Sequence, residues 1–192
     1  MILNIPNNLT LLRIAMIPCF ILVFYISDNI LSLYQKNLIA TLIFLLAAIT
    51  DWLDGYLARK LNQTSDFGAF IDPVADKLIV IAALILLVQL NRIDSIVAFI
   101  IIAREFTISY IMEWMSQLGK SGSIAVAFVG KLKTTMQMIA ILFLLYYENI
   151  LFIPIVLIGK ILIYIAALLT IISMIYYLKI AFKILKEKKG LL

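Results

Sequence analysis

Five aspartates, an arginine, two lysines and two glycines fall within Asp51–Lys77, DWLDGYLARKLNQTSDFGAFIDPVADK, in a chain that is otherwise largely apolar. On a helix, Asp51 and Asp54 are three residues apart and Asp72 and Asp76 four apart, so each pair shares a face. A short loop at 62–66 makes the flanking runs an antiparallel hairpin, with both pairs at one level. Four facing carboxylates repel one another unless they are protonated or bridged by cations. An unpaired charge leaving water is costly, so these groups need partners. Divalent ions with several oxygen ligands are the economical answer, and two of them about 3.5–4 Å apart would suit a phosphoryl-transfer clamp. Gly55, costly inside a helix by about 1 kcal/mol, allows a flat or bulky group to approach the backbone. Ala58 extends that notch, and Gly68 does the same or makes the turn. Arg59 stands one turn further on, able to neutralise a diphosphate or an aspartate. Taken singly, each has a bland reading: glycine for packing, arginine for anchoring, Asp54 or Asp72 as a cap. Asp66 reads as a solvated loop residue.

The elements that position this segment are membrane helices. The chain has 192 residues, 65% of them apolar, with a mean hydropathy of +1.11, so the bilayer is its main solvent. The fold class is all-α: one domain over residues 1–192, a polytopic bundle of six transmembrane helices. Spans are expected at about Leu9–Ile26, from Leu38 through Thr50 and on as helix into DWLDGYLARK, Asp72–Leu90, Ile93–Leu118, Ser123–Tyr147, and from Pro154 to near Tyr177. Asn7, Asn8 or Thr10 would cap the first helix, Pro18 would kink it, and Pro73 suits a first helical turn. No cleavable signal peptide is expected, since the first apolar stretch lacks a basic flank.

Composition also excludes chemistry. The chain has no histidine, which removes histidine bases, zinc sites and haem ligands. Cys19 is its only cysteine, so there is no intrachain disulfide. Any metal is held by oxygen, which points to Mg²⁺, Mn²⁺ or Ca²⁺. The net charge of +5 owes much to Lys179, Lys183, Lys186, Lys188 and Lys189, a flank facing anionic membrane lipid rather than nucleic acid. With six spans, both termini lie on one side. That side holds Arg59, Lys60, Lys120 and the C-terminal lysines, against Lys36 and Arg92 on the other, so the positive-inside rule places the termini and the aspartates at the cytoplasmic face.

The segment resembles the signature of the CDP-alcohol phosphatidyltransferases, D-x-x-D-G-x-x-A-R-x8-G-x3-D-x3-D, with Asp51, Asp54, Gly55, Ala58, Arg59, Gly68, Asp72 and Asp76 all in register. That resemblance implies two divalent cations, Mg²⁺ or Mn²⁺, held by Asp51, Asp54, Asp72 and Asp76, with Asp76 as general base. It implies a CDP-linked lipid or alcohol as donor, held by Gly55, Ala58, Arg59 and Gly68 with help from Asn8, Thr10 and Arg13. NIPNNLTLLR at 4–13, ARE at 103–105 and GKLKTTMQ at 130–137 are similar to the bacterial phosphatidylglycerophosphate synthases of that family. These imply CDP-diacylglycerol and sn-glycerol 3-phosphate as substrates, CMP as product, a homodimer, and the bacterial inner membrane.

An anionic acceptor needs cations, and Arg104, Lys131 and Lys133 lie within spans where a lone charge is expensive. Arg104 and Lys131 are the first choices for the acceptor phosphate and Lys133 the third. The competing reading pairs Arg104 with Glu105 or Glu113 and lets the lysines snorkel. For Arg13 the choice is likewise between snorkelling to the interface and facing an anionic ligand. Inositol phosphate, serine or phosphatidylglycerol as acceptor is the close alternative. A cation transporter is the remote one, since it would place carboxylates near mid-bilayer rather than at one end of two spans.

Overall fold

A computed structural model describes residues 5–61, 66–117 and 128–188. Among them are six helices: α1 (Ile5–Leu22, extended by a 3₁₀ turn at Val23–Tyr25), α2 (Leu33–Leu61), α3 (Asp66–Gln89), α4 (Ser95–Gln117), α5 (Phe128–Tyr146) and α6 (Ile155–Lys188). Asn7–Tyr25, Leu33–Asp51, Ser95–Gln117 and Ile155–Phe182 are long and apolar enough to cross a membrane. The protein is an all-helical, multi-pass membrane protein.

Four of the helices run further at one end than hydropathy alone implies, because backbone hydrogen bonds continue past the apolar core wherever helix-forming residues follow, whereas α4 begins at Ser95 rather than Ile93. Thus α1 starts at Ile5, and Asn7, Asn8 and Thr10 lie inside it instead of capping it. The third helix opens at Asp66, so Asp66 is helical and Pro73 sits in the interior. The second begins at Leu33 rather than Leu38, and the sixth passes Tyr177 to reach Lys188. Pro154 does immediately precede α6, where its fixed φ suits a helix start. The expected loop at 119–122 lies outside the described residues.

The chain forms two compact units, Met1–Arg92 with Ile141–Val156, and Ile93–Ala140 with Leu157–Leu192. In the first, α1 packs against both α2 and α3. Its buried residues Asn7, Thr10, Arg13 and Phe20 recur at three- and seven-residue intervals, one helical face. Polar groups point inward because the outer solvent is apolar. Phe20 meets Phe44 with ring centroids 6.4 Å apart. Fully buried Ala40 and Ala83, with nearly buried Ala47, remove the bulk that would separate helix backbones.

One end of this unit is fastened by Arg92. Helix α3 closes with Asn91 at φ 55°, its N–H on Val88 O and the Arg92 N–H on Leu87 O, the paired bonds of a Schellman cap. The buried Arg92 side chain donates to the carbonyls of Leu144 and Leu145 at 2.8 and 2.9 Å and to Asn37 Oδ1 at 2.7 Å. Its guanidinium stands 4.2 Å over the Tyr147 ring. Burial lowers its pKa to about 10, which leaves it charged at neutral pH. Asn37 and Asp54 are 17 residues apart on α2, or about 26 Å at 1.5 Å per residue. The Arg92 cluster and the aspartates therefore occupy opposite ends of a length close to the ~30 Å hydrocarbon thickness.

In the second unit, Met115 of α4 and Tyr177 and Ile184 of α6 form a buried cluster with Ile108, Met112 and Ile180 around it. Tyr164 donates to Asp94. Leu157, Ile161, Leu168 and Ile172 leave an exposed apolar face along α6, as lipid solvent allows.

Candidate active site

Asp51 and Asp54 stand near the end of α2, and Asp72 and Asp76 near the beginning of α3. Helix α1 links the two pairs. Arg13 Nη1 donates to Asp76 Oδ1 and lies 3.3 Å from Asp51 Oδ1, while Nη2 donates to Asp54 Oδ2. One turn back on the same face, Thr10 Oγ1 donates to Asp72 Oδ1. The four sequence-selected aspartates are thus gathered by two residues of one helix.

Their environments differ. The side chains of Arg13 and Asp54 are 0% and 4% exposed, whereas those of Asp51 and Asp76 are 49% and 43% exposed. The site has a sealed inner edge and an open outer one. A planar guanidinium offers five donors in a fixed fork, which lets one side chain serve three carboxylates. Its Nε is buried without a hydrogen-bond partner among the described residues. Four carboxylates against one guanidinium leave a negative excess within this set.

Among the described residues the carboxylates do not close into a ligand cage; Arg13 is in ion-pair contact with three of them. Their chemistry nonetheless fits a hard divalent ion: only oxygen donors, a negative excess, and two carboxylates open to solvent.

Arg13 was assigned by sequence to the donor's nucleotide or diphosphate, or to snorkelling. It does not snorkel: it is fully buried and engages the aspartates. Thr10 likewise faces Asp72. Asn8 is exposed, while Asn7 is buried on the Thr10 and Arg13 face. Sequence reasoning gave Asn7 only as a candidate helix cap and not as a site residue, although its three-residue spacing to Thr10 was visible. Gly68 is buried within α3, so it does not make the turn. Gly55, Ala58 and Arg59 lie on α2, with side chains outside the described residues.

The second unit holds its own ionic group. Arg104 Nη1 donates to Glu105 Oε1 at 2.9 Å, and Lys133 Nζ reaches the same oxygen at 3.3 Å. Lys133 is wholly buried and Arg104 nearly so, so neither snorkels. Of the two carboxylates weighed for Arg104, Glu105 is the partner and Glu113 is exposed. Buried Gln137, one turn beyond Lys133, keeps its Oε1 without a hydrogen-bond partner among the described residues, as does Arg104 Nε. Gln137 closes the GKLKTTMQ stretch but carried no assigned role in the sequence, though its i+4 spacing from Lys133 places both on one face. The Lys131 side chain lies outside the described residues. Two cations on one carboxylate leave a net positive, donor-rich set suited to an additional anion.

The family profile of the CDP-alcohol phosphatidyltransferases matches residues 3–175. A Haemophilus influenzae protein named CDP-diacylglycerol–glycerol-3-phosphate 3-phosphatidyltransferase is 50% identical over 181 residues, covering 93% of each chain. Proteins of the same name from Escherichia coli K12 and Wigglesworthia glossinidia brevipalpis are each 46% identical, covering 93% and 94% of this chain and 94% and 96% of their own. With the eight signature residues in register and their four aspartates gathered on Arg13 and Thr10, the chain belongs to the CDP-alcohol phosphatidyltransferase family.

Proposed function

We propose that this protein transfers the phosphatidyl group of CDP-diacylglycerol to sn-glycerol 3-phosphate, giving phosphatidylglycerophosphate and CMP. The observation that carries this reading is the convergence of Asp51, Asp54, Asp72 and Asp76, in a chain 46–50% identical to relatives named for that reaction. The family match runs through both units, which supports reading residues 1–192 as one catalytic domain.

Asp51, Asp54, Asp72 and Asp76 would hold two divalent cations, Mg²⁺ or Mn²⁺. When bound, such ions neutralise the diphosphate and stabilise charge on the attacking and leaving oxygens. Asp76, half-exposed at the open edge, takes the proton of the acceptor hydroxyl at a carboxylate oxygen. That hydroxyl oxygen forms a bond to the β-phosphorus of the donor as the bond to CMP breaks, and CMP leaves with the electron pair. Gly55, Ala58, Arg59 and Gly68, with Asn8, Thr10 and Arg13, would bind the donor. Arg104 and Lys133, with Lys131, would bind the acceptor's phosphate, and the buried pair on Glu105 supports that role.

The charge pattern supports a cytoplasmic active site in a bacterial inner membrane. The two cations assigned to the opposite face are consumed locally, Lys36 by Asp28 at 2.6 Å and Arg92 by the α5 carbonyls. The family resemblance supports a homodimer. The test is CMP release by purified protein given CDP-diacylglycerol and a panel of acceptors. Turnover with glycerol 3-phosphate but not with inositol phosphate, serine or phosphatidylglycerol is expected, and the reverse would sink the assignment.

A further inference from the structure

Arg13 stands where the aspartates' shared counterion must stand. It is the largest fully buried charged side chain of the first unit described here, and it is in ion-pair contact with carboxylates from two different helices. A charge so completely removed from water persists only where such pairing compensates its desolvation. We propose that Arg13 is an internal substitute for metal: it holds the aspartates of α2 and α3 together while they carry no ion, and it gives up Asp51 and Asp76 as divalent cations bind.

This rests on the reading that the four aspartates bind divalent ions. Three features of the geometry carry it further. First, α1 packs on both aspartate-bearing helices, so a cation on α1 is placed to cross-link them. Without a cation, Asp51 and Asp54 on one helix would repel Asp76 on the other. Second, the guanidinium hydrogens occupy the oxygen atoms that a dication would use, and two cations on the same oxygens repel. Arg13 and metal therefore compete for those oxygens.

Third, the contacts are graded. Asp51 and Asp76 are about half exposed and Asp54 is sealed. Ions arriving from the open edge meet Asp51 and Asp76 first, and Arg13 can retain Asp54 while it releases them. Thr10 has no such conflict at Asp72, because a hydroxyl carries no charge and presents lone pairs as readily as a proton. The guanidinium so released presents its fork to an anion, which would reconcile its present place among the aspartates with a later one on the donor's diphosphate. Toward the metal, Arg13 is on this account a positioning residue, and that part of its role is read on metal binding, separately from its part in holding the donor.

The test measures Mn²⁺ binding to the full chain in detergent micelles by electron paramagnetic resonance, and thermal unfolding with and without Mn²⁺. Arg13→Gln removes the charge and keeps a polar side chain of moderate length. It is expected to unfold at lower temperature than wild type without metal, to bind Mn²⁺ about tenfold more tightly, and to gain more thermal stability from Mn²⁺. Arg13→Lys keeps the charge but loses the fork, so it should bind Mn²⁺ with intermediate affinity, and it carries the test should the glutamine variant not fold. Saturable binding in wild type with equal or weaker binding in both variants overturns the proposal and leaves the aspartate metal site standing. Absence of saturable binding in wild type, or its persistence in an Asp51→Asn, Asp54→Asn double variant, overturns both.

Discussion

Replacing Arg104 by alanine separates substrate recognition from architecture. Arg104 Nη1 makes a 2.9 Å bond to Glu105, and its Nε is buried with no hydrogen-bond partner among the described residues. If the guanidinium receives the acceptor phosphate, its removal deletes one charge-assisted interaction, worth about 1.5–3 kcal/mol. At about 1.4 kcal/mol per factor of ten, the KM for glycerol 3-phosphate should rise roughly 10- to 150-fold. Glu105 is not orphaned, because Lys133 Nζ remains 3.3 Å from its Oε1. The loss of stability should therefore stay near 1 kcal/mol, well below the ~3–5 kcal/mol typical when a buried charge loses its partner. The assay is CMP release in mixed micelles, varying each substrate at saturating levels of the other, with thermal unfolding alongside. The donor KM should change by less than about threefold, since uniform loss of acceptor binding leaves the other substrate untouched. Arg104→Lys should fall between wild type and alanine. Equal rises in both KM values, or a large fall in melting temperature that tracks the activity loss, would refute the acceptor role and leave Arg104 as a structural ion pair.

Two further substitutions address the base and the far end of the first unit. Asp76→Asn should lower turnover by about 10³-fold, the range expected for a missing general base, while Mn²⁺ still binds. Activity within tenfold of wild type removes Asp76 from that role. Arg92→Met keeps bulk but removes three hydrogen bonds and the Tyr147 stacking contact. It should cost about 3 kcal/mol or more in detergent-denaturation titrations, and a loss below about 1 kcal/mol would show that the helix ends are satisfied without it.

Much of the site was legible because its signals are local. Asp51 and Asp54, and Asp72 and Asp76, sit at intervals that a helix turns into shared faces, and the absence of histidine restricts the donors to oxygen without reference to any fold. Hydropathy likewise announced membrane helices, since apolar runs of span length have one stable solution in a bilayer. Helix ends were less legible. Asp66 and Lys179 lie beyond the apolar cores, where the helix continues through its own hydrogen bonds and leaves no hydropathy edge.

The partners of the charges could not be read locally at all. Arg13 is 38 residues from Asp51 and 63 from Asp76, and nothing in its own surroundings distinguishes a snorkelling arginine from a buried counterion. The same holds for Arg92, which looked like a loop cation and instead fastens α3 to the end of α5. The sequence by itself determined which groups do chemistry, because residue type and helical period are properties of short segments. Only the tertiary structure decided which charge neutralises which, because ion pairing depends on distance through space, and α1 packing across α2 and α3 is what brings Arg13 to its three carboxylates.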